Sequence, residues 1–362
     1  MTFDEIAQIS PFSLKKNDKD EILTQRLLSL TEKHKSTCEP YSRMIDMTGY
    51  IPNKIDHYSK LPFLPVSLFK DMELKSIGNE EIFKITTSSG TTGQAVSKIY
   101  LNKVTAANQQ KTLVKIVSDF TGSARMPMLV IDSPSVIKDR SMFSARGAGI
   151  LGFSIFASDK VYALDDDMKL DIDNINKFLE KHKNKNILIF GFTFMIWQHL
   201  YKEFQNNNYK MDLSKGIMIH GGGWKKLISE SVSKDIYKLK LNEAFGIEQK
   251  NIHDYYGMVE QTGTIYMECE NGNLHSSIFS DVITRRYKDF SICDKNEKGI
   301  IQVVSVLPES YPGHSLLTED EGVILGEDDC PCGRNGKYFE VTGRLKNAEI
   351  RGCSDTYAEQ FK

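Results

Sequence analysis

The sequence predicts an α/β fold in which layered parallel sheets with helices are joined to an antiparallel β section. Three observations carry this. From about residue 82, short apolar runs alternate with segments of helical periodicity, the pattern of parallel strands with crossover helices. Beyond about residue 260 the apolar runs follow one another closely with no helical pattern between them, as antiparallel strands do. Finally, 362 residues with 40% hydrophobic content can fill one large core. No repeat, low-complexity tract or linker divides the chain.

In chain order, residues 18–37 read as a helix, with Ile22, Leu23, Leu27, Leu28 and Leu30 at roughly helical spacing. In "KLPFLPVSLFKD", Pro62 and Pro65 forbid a regular helix and favour an extended crossing segment. Strands are expected at 83–86, 98–101, 128–132, 161–164, 187–190 and 217–220, with helices at 105–120, 172–182 and 194–206 between them. The β section is expected at 264–269, 281–286, 300–307, 322–325 and 338–341. We therefore divide one composite domain into an N-terminal helical and extended segment (1–75), an α/β core (76–343) and a short tail (344–362).

Composition narrows the function. A net charge of −2 with 26% charged residues supplies no basic excess for nucleic acid. The start "MTFDEIAQIS" has no basic region followed by an apolar one, so no leader is expected. The longest apolar run, 187–197, is too short to cross a bilayer and reads as a buried strand entering a helix, or as a lipid-tunnel wall. The six cysteines suggest metal binding or catalysis rather than disulfides, and a cytoplasmic location is expected.

The stretch "ITTSSGTTGQAVSKIYL" (85–101) joins two strand-like runs by a loop of small residues. Gly90 and Gly93 permit a tight turn with exposed amides, and Ser88, Ser89, Thr91 and Thr92 add hydroxyl donors for phosphate oxygens. Gln94 stands where a Walker A loop needs Lys. By itself this is a phosphate cradle or a Ser/Thr-rich hairpin turn.

Four further motifs follow in order: "HGGGW" (220–224), "YYGMVEQTG" (255–263), "LLTEDEG" (316–322) and "VTGR" (341–344). Together with "SSGTTG" (88–93) they resemble the phosphate loop, adenine loop, Tyr-Gly-x-[Thr/Ser]-Glu motif, Thr-Gly-Asp motif and Gly-Arg hinge of the adenylate-forming enzymes. "LPFLPVSLFK", "SSGTTGQAVSKI" and "EIRGCSDTYAEQF" bring the resemblance to the acyl-protein synthetases of bacterial luminescence operons, the LuxE family. It runs from about residue 55 to the C-terminus.

The resemblance implies the N-terminal domain of an adenylate-forming enzyme, its usual C-terminal domain reduced to a short tail. It implies that a long-chain fatty acid attacks the α-phosphate of ATP to give an acyl-adenylate, with Mg²⁺ as cofactor. Ser88, Ser89, Gly90, Thr91, Thr92 and Gly93 would hold the β- and γ-phosphates. Lys98 would be either a cation near them or a surface lysine at a strand edge. Gly221, Gly222 and Gly223 would let the backbone approach adenine, with Tyr256 and Gly257 beside the base. His220 would contact substrate or phosphate, or be a satisfied core histidine. Glu260 would hold Mg²⁺, and Asp320 and Arg344 would bind the ribose. Val259 departs from the family's hydroxyl residue at that place.

Near the end, Cys353 in "RGCSD" is expected to take the acyl group as a thioester, helped by Arg351; the plain alternative is an incidental exposed cysteine. The implied partners are a fatty-acid reductase, which turns the acyl group into aldehyde, and acyl-transferase subunits. Only eighteen residues follow Arg344 (362 − 344), so the catalytic lysine of the usual C-terminal domain is replaced by Lys346 or another lysine, or dispensed with. Cys269, His275, Cys330 and Cys332 offer three sulfurs and one imidazole, a set for structural Zn²⁺ or simply buried cysteines. The rival readings are a phenylacetate-type acyl- or aryl-CoA ligase and a non-catalytic nucleotide-binding subunit.

Overall fold

Parallel and antiparallel sections prove to be one continuous sheet. The computed structural model describes residues 1–88, 95–138, 145–207, 209–224 and 230–345. Its strands are β1 (Leu64–Pro65), β2 (Lys84–Thr87), β3 (Lys98–Leu101), β4 (Met126–Ile131), β5 (Ala157–Tyr162), β6 (Ile187–Phe192) and β7 (Gly216–Gly221), then β8 (Ile252–Tyr256), β9 (Tyr266–Glu268), β10 (Leu274–His275), β11 (Ser280–Arg285), β12 (Lys298–Ser305), β13 (Ser315–Glu327) and β14 (Lys337–Arg344). Eleven of them run in the order β11-β12-β13-β14-β10-β9-β8-β7-β6-β4-β5, and β1 pairs β13 as the twelfth strand of the sheet. The half from β8 to β5 is parallel, and every pair from β8/β9 to β12/β11 is antiparallel. Strands β2 and β3 form a separate hairpin around the phosphate-loop segment.

The parallel strands read as unbroken apolar runs because both faces are covered. Leu188 and Phe190 of β6 join one core cluster, while Ile187 and Ile189 join another. A third cluster, with Val282, Val303, Leu316 and Phe339, lies beneath the antiparallel strands and receives Leu64, Val66 and Phe69 from the extended N-terminal segment. Helix termini carry caps: Asn102 accepts from the Thr105 amide (2.8 Å) at the start of helix Lys103–Thr121, which ends at Gly122 with φ +79°. Helix Lys16–Thr37 has no cap of its own; the Lys16 amide donates to Asp328, 312 residues away (2.8 Å).

Departures from expectation have local causes. The strand expected at 322–325 is thirteen residues long and takes in Thr318, Glu319 and Asp320. It keeps pairing by shifting register, once between Glu321 and Gly322 and again between Ile324 and Gly326. The segment expected as one helix at 194–206 is interrupted by a π-helical stretch, Ile196–Lys202. The strand expected at 161–164 begins earlier, at Ala157. β8 and the helix Lys234–Phe245 carry mixed apolar and charged residues and were not anticipated. No helix among the described residues is long and apolar enough to cross a membrane.

Candidate active site

Parallel α/β sheets bind ligands beyond the carboxyl ends of their strands, and there β7 and β8 end side by side with Gly221 paired to Tyr255. A Cβ on Gly221 would lie 2.7 Å from the Tyr255 ring, and Gly222 and Gly223 have φ of +81° and +59°. Glycine is thus required at all three positions, by contact at the first and by backbone conformation at the others. His220, at the end of β7, is buried. Its Nδ1 lies 2.9 Å from Thr193 Oγ1, which donates to the Gly221 carbonyl (3.2 Å). The hydroxyl's lone pair therefore accepts from Nδ1–H, leaving Nε2 as a buried acceptor with no hydrogen-bond partner among the described residues. Burial pushes the imidazole pKa down to about 3, so His220 is neutral and cannot offset phosphate charge as a cation.

The end of β8 meets the middle of β13 and the end of β14 through side chains. Tyr256 Oη donates to Asp320 Oδ2 (2.8 Å), and Arg344 Nε donates to Asp320 Oδ1 (3.1 Å). Asp320 and Arg344 are also cross-strand partners in the β13/β14 register. Burial, and then the Asp320 carboxylate, holds the Tyr256 phenol well above its ordinary pKa, so it stays a donor. Two of the residues expected to take adenine and ribose thus meet on the third, Asp320, although 88 residues separate Tyr256 from Arg344 (344 − 256).

Glu260 sits on a one-turn 3₁₀ helix, Val259–Gln261, and its side chain is 3% exposed. It is not a solvated acid. Its carbonyl accepts from Tyr311 Oη (2.8 Å), and the neighbouring Gln261 Nε2 donates to the Gly313 carbonyl (2.8 Å).

At the phosphate-loop neck, Ser88 N donates to the Ser97 carbonyl (3.1 Å) and Ser97 N donates to Ser88 Oγ (2.9 Å). The Ser88 hydroxyl thus closes the loop at its base. Lys98 is exposed at the start of β3. Ser89, Gly90, Thr91, Thr92 and Gly93 lie outside the described residues, as do Lys346, Arg351 and Cys353.

Away from this site, Cys269, His275, Cys330 and Cys332 converge, their ligand atoms all within 4.8 Å of one another. Cys269 Sγ to Cys330 Sγ is 3.9 Å, and Cys332 Sγ to His275 Nε2 is 3.3 Å. A tetrahedral zinc ion requires S···S near about 3.8 Å and S···N near about 3.5 Å, given Zn–S of about 2.3 Å and Zn–N of about 2.0–2.1 Å. The donor set fits. Asn273 Nδ2 and the Arg334 amide point at Cys330 and Cys332 sulfurs (each 3.5 Å), as the outer contacts of thiolate ligands do. Without a cation, burial pushes the Cys269 thiol up to about 12 and His275 down to about 4.

Several residues around these sites were missed in the sequence. Thr193 orients His220; Tyr311 and Gly313 hold the Glu260 turn; and Glu268, between Lys234 (3.2 Å) and Lys238 (2.9 Å), receives the Asp254 amide beside the glycine loop (3.1 Å). At the end of β4, Asp132 pairs with Arg146 (3.0 Å), and burial raises its carboxyl to about 6 against the pull of that guanidinium. None belongs to a short motif; only the fold brings them in.

Comparison with known proteins bears on the fold and the family. A solved 2-hydroxyisobutyryl-CoA ligase, in an open conformation with 2-HIB-AMP and CoA, superposes with a TM-score of 0.70 at 13% identity over 95% of this chain and 79% of its own. The same ligase in its thioester-forming state gives 0.69 at 14% identity over 93% and 70%. At that identity the likeness is one of fold, that of adenylate-forming enzymes. Long-chain-fatty-acid–luciferin-component ligases from Vibrio harveyi and Aliivibrio fischeri are each 22% identical, over 94% and 84% of this chain and 88% and 80% of their own. The model of the family described as acyl-protein synthetase, LuxE, matches residues 2–362, and the chain belongs to that family of ligases.

Proposed function

We propose that this enzyme uses ATP to activate a long-chain fatty acid as its acyl-adenylate, moves the acyl group to Cys353 as a thioester, and delivers it to a fatty-acid reductase for aldehyde synthesis in bioluminescence. The observation that carries the reading is the contact of Tyr256, Asp320 and Arg344 beside the Gly221–Gly223 turn, a set that suits an adenosine: a ring for the base, a carboxylate for the ribose diol and a backbone without side chains. A carboxylic acid is a poor acyl donor because its leaving group is oxide or hydroxide. Attack of the carboxylate oxygen on the α-phosphate releases pyrophosphate and makes AMP the leaving group. The protein's work is alignment and stabilisation of phosphate charge in flight.

Glu260, a hard oxygen donor on a short turn, fits Mg²⁺, which would neutralise charge on the phosphates. The loop 88–93 would clamp the departing pyrophosphate. Cys353 thiolate would then attack the adenylate carbonyl carbon, forming the C–S bond as the C–O bond to AMP breaks. The product is still an activated acyl group, suited to onward transfer. The cysteine–histidine cluster would hold a structural Zn²⁺, since its four ligands leave no position for water.

The test is Cys353→Ser with ATP, Mg²⁺ and radiolabelled tetradecanoic acid. Pyrophosphate release should persist while covalent labelling disappears; loss of both would refute the division of labour. Release of the acyl group only when free CoA is added would instead identify a CoA ligase. Absence of acid-dependent pyrophosphate exchange into ATP in the wild type would identify a non-catalytic subunit.

A further inference from the structure

Between β12 and β14's partner β13 runs the segment "PESYPGH", residues 308–314, which is buried apart from Glu309. Connecting loops normally lie on the surface, because buried backbone polar groups must each find a partner. The partners of this loop are informative. Ser310 Oγ donates to the Tyr100 carbonyl (2.8 Å) in β3, the strand that leaves the phosphate loop, and the Ser310 carbonyl accepts from the Ser76 amide (2.8 Å). Tyr311 Oη donates to the Glu260 carbonyl (2.8 Å), and the Gly313 carbonyl accepts from Gln261 Nε2 (2.8 Å). At either end the loop is anchored to helix Lys16–Thr37: His34 Nε2 lies 2.9 Å from the Pro308 carbonyl, and His314 Nε2 lies 2.9 Å from Thr31 Oγ1. The two imidazoles stack at 5.1 Å.

Packing leaves the loop little freedom. A Cβ at Gly313 would lie 2.2 Å from the Tyr311 ring and 3.0 Å from the Glu260 carbonyl oxygen. The Tyr311 ring meets Phe69 edge-on at 6.1 Å. A Cβ at Gly263, at φ +97°, would come within 2.6 Å of the Gln109 backbone in helix Lys103–Thr121, which follows β3 directly. The phosphate-loop strand and the Glu260 turn are therefore fixed to one another through a single buried brace.

We propose that Tyr311 and Ser310 are positioning residues that set the spacing between β3, the strand that follows the phosphate-loop segment, and the Glu260 turn. Neither acts as an acid, a base or a ligand. Their hydroxyls hold two backbone carbonyls, that of Tyr100 in β3 and that of Glu260, so losing either bond loosens one of the two elements and weakens what that element binds without removing a reacting group. The inference rests on the assignment of Glu260 to Mg²⁺.

The experiment measures pyrophosphate exchange with tetradecanoic acid against free Mg²⁺ and against ATP for wild type, Tyr311→Phe, Ser310→Ala and Glu260→Gln. Tyr311→Phe keeps the ring and removes one neutral hydrogen bond. It should raise the half-saturating Mg²⁺ about three- to tenfold, leave the KM for fatty acid unchanged, and recover its kcat at excess Mg²⁺. Ser310→Ala should raise the KM for ATP by a similar factor. A uniform loss of kcat at every Mg²⁺ concentration, or an unchanged Mg²⁺ requirement in Tyr311→Phe while Glu260→Gln shifts it, overturns the brace and leaves the Glu260 assignment intact. An unchanged requirement in Glu260→Gln overturns the assignment and the brace with it.

Discussion

Asp320 divides its two carboxylate oxygens between Tyr256 and Arg344, so one side chain fixes an aromatic ring and a guanidinium at once. An asparagine there has no charge and accepts with one atom only: its amide either turns the Tyr256 hydroxyl from donor into acceptor and faces Arg344 with a neutral oxygen, or meets the Arg344 guanidinium as donor against donor. Hydrogen bonds to a charged group are worth about 1.5–3 kcal/mol, so Asp320→Asn should raise the KM for ATP roughly 10- to 100-fold. The KM for fatty acid should stay put. The sharper reading is discrimination: wild type should prefer ATP to 2′-deoxy-ATP, and the variant should be nearly indifferent. Equal discrimination in both would remove Asp320 from ribose recognition. That Tyr256, Asp320 and Arg344 belong together was legible in the sequence because each stands in a short motif of fixed order. The partners Thr193, Tyr311 and Gly313 were not, because a hydroxyl or glycine gains its meaning only from what the fold sets opposite it.

At the scale of elements, the β9–β10 hairpin and the turn between β13 and β14 each supply two members of the cysteine–histidine cluster. A zinc ion there would staple that turn to the centre of the sheet, near the place where parallel pairing becomes antiparallel. Purified protein should carry one zinc per chain by elemental analysis. Chelation, or Cys269→Ser, should lower the melting temperature while the surviving folded fraction still exchanges pyrophosphate, as a four-ligand structural site would have it. Protein that is fully active and stable with no bound metal would sink the assignment. Elements whose sequence has one clear period were read closely, as at β3 and helix Lys103–Thr121. In β13 the residues Thr318 to Glu321 break the apolar pattern without ending the strand: Asp320 meets Tyr256 and Arg344, Thr318 donates to the Ile301 carbonyl and Glu321 pairs with Lys298. The π-helical stretch Ile196–Lys202 has no periodic signature that separates it from an α-helix.

Across the whole molecule, the N-terminal helix is tied to the distant β section by a buried charge cluster. Asp281 in β11 accepts from Lys19 (3.3 Å), Lys337 (2.7 Å), Ser276 (2.9 Å) and the Tyr58 hydroxyl, joining segments up to 318 residues apart (337 − 19). Burial alone would raise this carboxyl, but the two ammonium groups, with the hydroxyl donors, outweigh it and hold its pKa far below the ordinary carboxylate range. A carboxyl depressed in the folded state binds fewer protons there than in the unfolded chain, whose aspartates titrate near about 3.9. The stability it contributes is complete above that value and is lost as pH falls below it. Asp281→Asn should cost about 3–5 kcal/mol at neutral pH, because it leaves the buried Lys19 ammonium and the part-buried Lys337 ammonium without their counter-charge. Its deficit should narrow on acidification below pH about 4, as the wild type loses the same interaction. Denaturant melts at neutral and acidic pH measure both quantities, and a deficit that stayed constant between them would show that Asp281 acts by packing rather than by charge.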